Sequence, residues 1–491
     1  MKQTDRWAVA IVAGVVGVMT CTLIAASSSL TYGAVAANRT STPLIVNATD
    51  DIDDGSCDSM HCSLREAINA ANNGPGPDTI TFDPLVFPPT QVVVIGLGSM
   101  LPTIYDDNLT IDASGTQAAI DGSALVGEDT HGFFIQSSGN TLKGIRIHNV
   151  PGAGVMVASF SDEGNIAHYN TLDSITVVNS GYGGPPFNGR TDAIWIEAYG
   201  DGSTAYHNRV VNCTVENNAD DGIEVVSHGR GKADYNAVIG NTVRGNAEVG
   251  IEIDAQGPGS ASYNIVADNM IEGTNTEGNG GIIVNSHGGG AADGNTIHSN
   301  IVVNCRDWGI AVLTWDPGSS ASANMVINNT VEHNSDRGIA IHCNGGGTAD
   351  GNTIDSNTVI ENTGLGIHIL AWDPGSSASA NMVINNTVEH NSDCGIAVDP
   401  HSGAVGDGNC IYHNNFIENG YQPRDNGNNT RWDYSGKGNY WSDYTGKDEN
   451  DDGIGDTPYR IPPKGVDNYP LMTPYTYEQR IYLPVIMKNY P

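Results

Sequence analysis

The 22 residues WDPGSSASANMVINNTVEHNSD occur twice without a change, at Trp315–Asp336 and at Trp372–Asp393, 57 residues apart. Aligning the middle of the chain on Asn divides that distance into two units, because an Asn opens a new unit every 28 to 31 residues. Units of this size, each burying its apolar face only against its neighbours, indicate a solenoid. The leading residues are Asn208, Asn236, Asn264, Asn295, Asn324, Asn352, Asn381 and Asn409.

Each unit contains short apolar, β-branched stretches separated by Asn and Gly. Val238 and Val243 follow one leading Asn, and a Gly-Ile-x-Val block such as GIEI at Gly250 comes next. This alternation predicts strands of about three to five residues between tight turns. Asn tolerates left-handed backbone at the corners, and stacked Asn amides can form hydrogen bonds along a ladder. A helical solenoid would require longer runs of period 3.6, which the sequence lacks.

These repeats resemble the right-handed parallel β-helix of pectin-lyase-like proteins, over roughly residues 95–420. The stretch CSLREAINAANNGPGPDTITF, which begins at Cys62, resembles the leader of secreted bacterial β-helix proteins with the CSLREA motif. Ser63 and Glu66 form a capping-box pattern before an apolar stripe that ends at Gly74, so a short helix is expected to close one end of the solenoid. The expected fold is all-β, a right-handed single-stranded parallel β-helix with a short N-terminal capping helix.

The chain is expected to carry a signal peptide over residues 1–36. Lys2 and Arg6 precede a long apolar run, and Ala34-Val35-Ala36 has the small-x-small form of a cleavage site. An uncleaved anchor is the alternative. Four further segments follow: an N-terminal cap at 37–94, the β-helix at 95–420, a C-terminal cap at 421–474 and a tail at 475–491.

Export places the protein outside the cytoplasm, secreted or at the cell surface. Cys57 and Cys62 lie close together and are expected to form a disulfide in that environment. We expect a monomer that has no membrane insertion after signal cleavage.

The net charge of the chain limits the kinds of partner that it can bind. Lys and Arg number 21 against 56 Asp and Glu, which gives a formal net charge of −35. Nucleic acid is excluded, since phosphate binding requires clustered cations. An acidic surface suits Ca²⁺ or neutral sugars, and an anionic glycan would have to be held through a bridging cation. The expected partner is a polysaccharide or cell-envelope glycan.

Three outward positions on each Gly-Ile-x-Val strand should form columns along the solenoid. The third column is aromatic, His or amide in every coil. Trp315 and Trp372 are two coils apart in it and would be roughly 10 Å apart, about the length of a disaccharide. Together with Trp195 and Tyr199 they are the predicted carbohydrate-binding residues. The alternative is a purely structural stack of rings that covers the corner.

The same face becomes acidic towards the N-terminus. Glu197, Glu224 and Glu252 fall on successive coils with His228 beside them, and carboxylates one coil apart would be ~5 Å apart, as in retaining glycosidases. These four residues are the candidate catalytic set of a polysaccharide lyase, glycoside hydrolase or epimerase. The same carboxylates could instead hold Ca²⁺ that bridges a uronate, or form a solvated, non-catalytic face.

Asp220-Asp221 and His228-Gly229 are similar to the acidic pair and the His-Gly of polygalacturonases. In that family the two elements belong to different coils, whereas here they share one coil. Acidic residues also recur at nearby positions of other coils, so turn preference accounts for this pair. The sequence therefore leaves open whether the protein is an enzyme.

The stretch GNYWSDYTGKDENDDGIGDTPYRI, which begins at Gly438, resembles the C-terminal part of NosD-type periplasmic proteins, which assist copper-site maturation of nitrous oxide reductase. Within it, Asp448, Asn450, Asp452 and Asp456 have the spacing of an EF-hand-type loop. We therefore predict a Ca²⁺ site at these residues. Position 12 of the loop is Tyr459 rather than Glu, and an Asp/Gly turn without metal is the alternative.

A copper site would have to use the histidines of the third column, His228, His287 and His401. Imidazoles that lie ~10 Å or more apart on separate coils cannot share one ion, and no cluster of Met and Cys assists them. The sequence therefore favours Ca²⁺ over copper.

Overall fold

A computed structural model of the chain describes residues 43–74, 76–127, 129–161, 166–182, 191–275, 280–401 and 403–476. The signal peptide predicted at 1–36 lies outside the described residues, as does most of the tail predicted at 475–491. Three parallel sheets run along one solenoid, with 13 strands in sheet 1, 13 in sheet 2 and 11 in sheet 3. The predicted all-β parallel β-helix is confirmed.

Each coil contributes one short strand to sheet 1 and one to sheet 2. In order along the solenoid, the strands of sheet 1 are Leu44–Val46, Thr79–Phe82, Thr110–Asp112, Thr141–Lys143, Thr171–Asp173, Arg209–Val211, Ala237–Ile239, Ile265–Ala267, Thr296–His298, Met325–Ile327, Thr353–Asp355, Met382–Ile384 and Cys410–Tyr412. Those of sheet 2 are Val93–Gly96, Ala118–Asp121, Arg146–His148, Thr176–Val178, Thr214–Glu216, Thr242–Arg244, Met270–Glu272, Ile301–Val303, Thr330–Glu332, Thr358–Ile360, Thr387–Glu389, Asn415–Ile417 and Tyr440–Trp441. The parallel sheets thus continue on both sides of residues 95–420.

Sheet 3 is built from the longer Gly-Ile-x-Val strands, and its outer face carries the candidate site. Its strands are Phe133–Ile135, Val155–Phe160, Ile194–Tyr199, Ile223–His228, Ile251–Gln256, Ile282–His287, Ile310–Thr314, Ile339–Cys343, Ile367–Ala371, Cys394–Pro400 and Tyr421–Asp425. A separate antiparallel hairpin, Tyr459–Ile461 with Gly465–Asp467, follows near the C-terminus.

Buried Asn residues connect the coils through hydrogen bonds, as the repeat predicted. The side chain of Asn300 donates to Asn329 Oδ1 at 3.0 Å, and Asn329 donates in turn to Asn357 Oδ1 at 3.0 Å. The same carbonyl oxygens accept backbone N–H groups, such as Asn300 N–H at 2.9 Å. This ladder also includes Asn241, Asn269, Asn386, Asn414 and Asn439.

The left-handed corner residue differs from the one expected. The ladder Asn residues do not have positive φ, and from Asn241 to Asn414 the residue before each of them does, as at Gly240 with φ 68° and Asn328 with φ 56°. Asp, Ser and His occupy the same corner position in other coils. The ladder Asn therefore contributes through its amide hydrogen bonds, while the preceding residue makes the turn.

A short helix closes the N-terminal end of the core. It covers Leu64–Asn73, and Ser63 and Glu66 form the expected capping box. The buried side of the helix packs against Leu44–Val46 and Thr79–Phe82, the first strands of sheet 1. The predicted disulfide between Cys57 and Cys62 is present immediately before it. Among the described residues, no helix has both the length and the apolar character needed to cross a bilayer.

The segment predicted as a C-terminal cap adds the strands Tyr421–Asp425 to sheet 3 and Tyr440–Trp441 to sheet 2. Trp441 stacks between Phe416 and Tyr459, with ring centroids 4.6 and 4.5 Å away. Asp467 accepts the Trp441 indole N–H at 3.0 Å and the backbone N–H of Asn439 at 2.8 Å. The Asn ladder therefore ends on a buried carboxylate.

Replacing a ladder residue in mid-solenoid should destabilise the fold. Asn329→Ala removes the donors to Ile297 O and Asn357 Oδ1, and it removes the acceptor of the buried Asn300 backbone N–H and of one Asn300 side-chain N–H. We expect a loss of about 2–4 kcal/mol, measured as a lower urea midpoint. The control is Asn328→Gly at the exposed corner, where glycine adopts positive φ freely and the midpoint should hardly change. Equal losses in both variants would contradict a structural role for the ladder.

Candidate functional site

The three outward columns of sheet 3 lie in the register that the sequence predicted. Trp195 pairs with Glu224, which pairs with Glu252. In the third column, Trp315 N–H bonds to Ser286 O and Trp372 N–H to Cys343 O, so both Trp residues follow the ends of their strands on one face. The second column contains Glu197, Val226, Asp254, Asn285, Leu313, His342, Leu370 and Asp399.

Five carboxylates meet at the N-terminal part of this face, and we call them the acidic cluster: Asp192, Asp220, Asp221, Glu224 and Glu252. They form two groups of three, Asp192–Asp220–Asp221 and Asp221–Glu224–Glu252, and in each group ligand oxygens lie within 4.8 Å of one another. Asp221 belongs to both groups. Although these side chains leave the outer face of the sheet, Asp192, Asp221 and Glu224 are only 5–7% exposed.

Burial dominates the electrostatics of the acidic cluster. It raises the pKa of Glu252 to about 8, with a further contribution from the charge of Asp254. The pKa of Glu224 also lies well above its usual range because of burial and then the charge of Asp192, and that of Asp221 because of burial and the charge of Glu252. Glu252 therefore holds a proton at neutral pH unless another cation neutralises the cluster.

The sequence predicted part of this cluster. Glu224 and Glu252 are in it, whereas Glu197 lies one column away, 1% exposed, with its carboxylate 3.4 Å from His228 Nε2. Asp192 was missed and Asp221 was attributed to turn preference. Both stand immediately before the small residue that opens a strand of sheet 3, in two successive coils, and that repeated acid was the available signal. Asp221 also serves the turn, since its Oδ1 accepts Val249 N–H at 2.7 Å.

A second feature of the face is a pair of partly exposed Trp rings. Trp315 is 38% exposed, and its indole N–H donates to Asn285 Oδ1 at 2.8 Å. Trp372 is 50% exposed and packs on the ring of His401, with centroids 3.8 Å apart. Asn344 occupies the coil between them. These contacts fix the rings without covering them.

The other two predicted carbohydrate-binding residues, Trp195 and Tyr199, differ in how much of their rings is exposed. Tyr199 is 47% exposed and lies beside His228, with ring centroids 5.6 Å apart. Trp195 is only 5% exposed and packs with Met156 and Val226 in a small apolar cluster on the outer face. Of these two residues, Tyr199 is the one that presents an open ring surface.

A histidine-rich region begins on the coil between the two Trp rings and continues towards the C-terminal end. His342 packs beside Trp308 and Trp315, with centroids 5.9 and 5.8 Å away. On the following coils, His368 Nε2 lies 3.1 Å from Asp399 Oδ2, and Arg424 binds the same carboxylate. The described side chains thus group five carboxylates at the N-terminal end of the face, whereas at the C-terminal end Asp399 is paired with His368 and Arg424.

The predicted calcium loop has its side chains directed at its own backbone. Asp448 accepts N–H bonds from Asp452 at 3.2 Å and from Gly453 at 2.8 Å, and Asp456 accepts Glu449 N–H at 2.7 Å. All four predicted ligands are in this exposed loop. Their oxygens already stabilise the turn, and Ca²⁺ binding at Asp448, Asn450, Asp452 and Asp456 stays a prediction.

Comparison with known proteins agrees with this architecture. The model of the family described as "Right handed beta helix region" matches residues 131–319, and that of "Periplasmic copper-binding protein (NosD)" matches residues 262–446. This chain is a right-handed β-helix protein with a NosD-like C-terminal region. The probable ABC transporter binding protein NosD of Stutzerimonas stutzeri is 43% identical over 60 residues, which are 12% of this chain and only 14% of that relative's length.

Solved β-helix structures are similar in fold alone. The Dettilon tailspike protein is 17% identical and has a TM-score of 0.53, with 73% of this chain and 64% of the other covered. The periplasmic alginate epimerase AlgG is 13% identical and has a TM-score of 0.43, with 75% and 82% covered. Likeness at this level does not transfer a function.

The described residues of this NosD-like β-helix protein do not fit a copper site. Copper favours imidazole and sulfur ligands. Among these residues, the groups of three or more metal-ligating side chains consist of carboxylates, except for Asp54–His61–Glu66, which has a single imidazole. Cys213, Cys305, Cys343 and Cys394 are buried singly in the structure. Hard, all-oxygen donors suit Ca²⁺ instead.

The histidine-rich region should make stability depend on pH. Burial, then the charges of Arg337 and His368, lowers the pKa of His342 from 6.5 to about 4. Because the unfolded chain binds the proton more tightly, this contribution is present above pH 6.5 and is lost as the pH falls towards 4. We expect a loss of at most about 3 kcal/mol, measured by urea unfolding between pH 7 and pH 4.

His342→Gln should flatten that pH dependence. The same exchange at the exposed His333 is the control and should leave the slope unchanged. A wild-type slope that survives His342→Gln would show that other groups cause the acid sensitivity.

Proposed function

We propose that this protein binds a polysaccharide outside the cytoplasm, on the outer face of sheet 3. The observation that carries the proposal is the pair Trp315 and Trp372, half-open rings two coils apart on one face. At ~4.8 Å per coil their separation is roughly 10 Å, which matches alternate sugar units of a chain lying along the solenoid. Asn344 between them offers amide donors and acceptors to sugar hydroxyls.

Trp315 and Trp372 together form the proposed stacking platform. The charge of the protein favours a neutral glycan on this platform, or an anionic glycan held through a cation. The net charge of −35 repels a bare anionic polymer. The similarity to a periplasmic family supports an extracytoplasmic location. Secretion or display at the cell surface, and action as a monomer, are part of the proposal.

Removing either ring should weaken glycan binding. We expect Trp315→Ala and Trp372→Ala each to lower affinity about tenfold or more, about 1.4 kcal/mol, because each deletes one stacking surface. The measurement is affinity electrophoresis or calorimetry with polysaccharides selected on a glycan array, with and without Ca²⁺. Tyr105→Ala, which removes a 60% exposed ring outside sheet 3, is the control and should bind as the wild type does. Glycan binding that survives the loss of both Trp rings would contradict the proposal that these rings bind the glycan.

A second candidate function is catalysis on the glycan at the acidic cluster. It is favoured by the raised pKa of Glu252, about 8, which would let a carboxylic acid donate a proton at neutral pH. The carboxylate oxygens of Glu224 and Glu252 lie within 4.8 Å, close to the spacing of retaining glycosidases. The burial of Glu224 makes binding the first choice.

Catalysis by this pair predicts a large effect of conservative substitutions. Glu224→Gln and Glu252→Gln should each lower turnover by at least about 100-fold while glycan affinity is retained. Reducing ends, unsaturated ends and inverted sugar centres would be assayed with the polysaccharides that bind. Activity that persists in both variants would exclude this pair, and absence of any activity in the wild type would leave the binding function alone.

A further inference from the structure

Among the residues that the structure describes, no cationic side chain forms an ion pair with the acidic cluster. Ion pairs within the described part of the chain reach its neighbours, Glu197 through His228 and Asp254 through His287. Within the same part of the chain, no ion pair involves the five carboxylates of the cluster itself. Three buried and two half-buried acids whose oxygens lie this close together must be neutralised by protons or by a bound cation.

A separate observation comes from Asp254, two residues after Glu252 on the same strand and on the same face. Its side chain is 3% exposed, and its Oδ2 accepts from Gln256 at 2.7 Å and lies 3.2 Å from His287 Nε2. Its Oδ1 is buried and has no hydrogen-bond partner. Residues two apart on a strand share a face, and Asn285, the register partner of Asp254, donates to Glu252 Oε1 at 3.3 Å, so this oxygen lies beside the cluster.

A buried carboxylate oxygen without a donor is costly, and a cation would remove that cost. The spacing is suitable, because two oxygens that each bind Ca²⁺ at about 2.3–2.6 Å lie at most about 5 Å apart, and the cluster oxygens lie within 4.8 Å. The donor set has carboxylate oxygens only, which favours Ca²⁺ over copper or zinc.

We propose that Asp221, Glu224 and Glu252 bind one Ca²⁺ on the outer face of sheet 3, with Asp192 and Asp254 completing the charge around it. This site differs from the exposed loop at 448–456 and does not depend on glycan binding. Because Asp221 and Glu224 come from one coil, Glu252 from the next and Asp192 from the one before, the ion and its surrounding charges tie successive coils together. Binding displaces the protons that the cluster otherwise holds, so affinity rises with pH.

The full chain, stripped of metal with a chelator, would be titrated with Ca²⁺ alone by calorimetry and with Tb³⁺ by luminescence. Trp195 lies directly across from Glu224 in the strand register, close enough to excite Tb³⁺ bound there. We expect the Glu224→Gln/Glu252→Gln double variant to lose one bound Ca²⁺ per chain and the Trp-sensitised emission. Trp195→Phe should lower the emission and keep the bound Ca²⁺.

Two matched variants assign the ion to its site. Asp448→Asn/Asp452→Asn removes ligands of the loop, and Glu332→Gln makes the same exchange on sheet 2; both should retain the Ca²⁺ of the cluster. No Ca²⁺ binding by the stripped wild type, or binding that only the loop variant abolishes, would overturn the proposal and leave the glycan proposal unaffected.

Folding of the variants is checked by far-ultraviolet circular dichroism and thermal melting. Should the double variant fail to fold, Asp254→Asn replaces it, because it removes one charge and leaves the strands intact. That variant should bind Ca²⁺ at least tenfold more weakly, and unchanged affinity would count against the site. Ca²⁺ should also raise the melting temperature of the wild type and not that of the double variant.

Discussion

The hydrogen bond from one buried Asn amide to the next is the constraint on which the rest of this molecule depends. Each ladder residue accepts the N–H groups of the previous coil and donates to the next one, as Asn329 does between Asn300 and Asn357. A strand that slipped by one residue would break these bonds and turn its apolar side chains outward. Residues about 29 positions apart in the sequence therefore lie side by side on adjacent coils. The register of the outer columns is fixed by the same hydrogen bonds.

Because register is secured inside, the composition of the outer face can change from coil to coil without cost to the fold. Sheet 3 uses this freedom in two ways. Its N-terminal coils concentrate carboxylates, whereas its C-terminal coils carry Trp315, Trp372 and His342. A long glycan lying along the axis would meet the aromatic part first through stacking, and the acidic part only if a cation or a proton had reduced its charge.

Periodicity predicted the fold and the columns residue by residue, since alternation and the Asn repeat are local and regular. The register of Trp195, Glu224 and Glu252 is the predicted one. Periodicity says which way a side chain leaves the sheet and not whether water reaches it. Trp195 points outward and is 5% exposed, because other outward apolar side chains such as Met156 surround it. Exposure depends on packing between coils, which the repeat does not encode.

The same limit explains the part of the acidic cluster that sequence reasoning missed. Asp192 precedes a strand, where an acid is ordinary turn chemistry, and its second role arises only when the next coil brings Asp221 and Glu224 against it.

The burial of the acidic cluster determines how its carboxylates are neutralised. A solvated row of carboxylates would ionise near pH 4, whereas a desolvated one must share protons or accept a cation before the coils can close over it. Protons and a cation compete for the same oxygens. As the pH rises, fewer protons are bound and the cation binds more tightly. Under the two proposals above, the charge of the outer face of sheet 3, and with it the range of glycans that this face would bind, would depend on the calcium and proton concentrations around the protein.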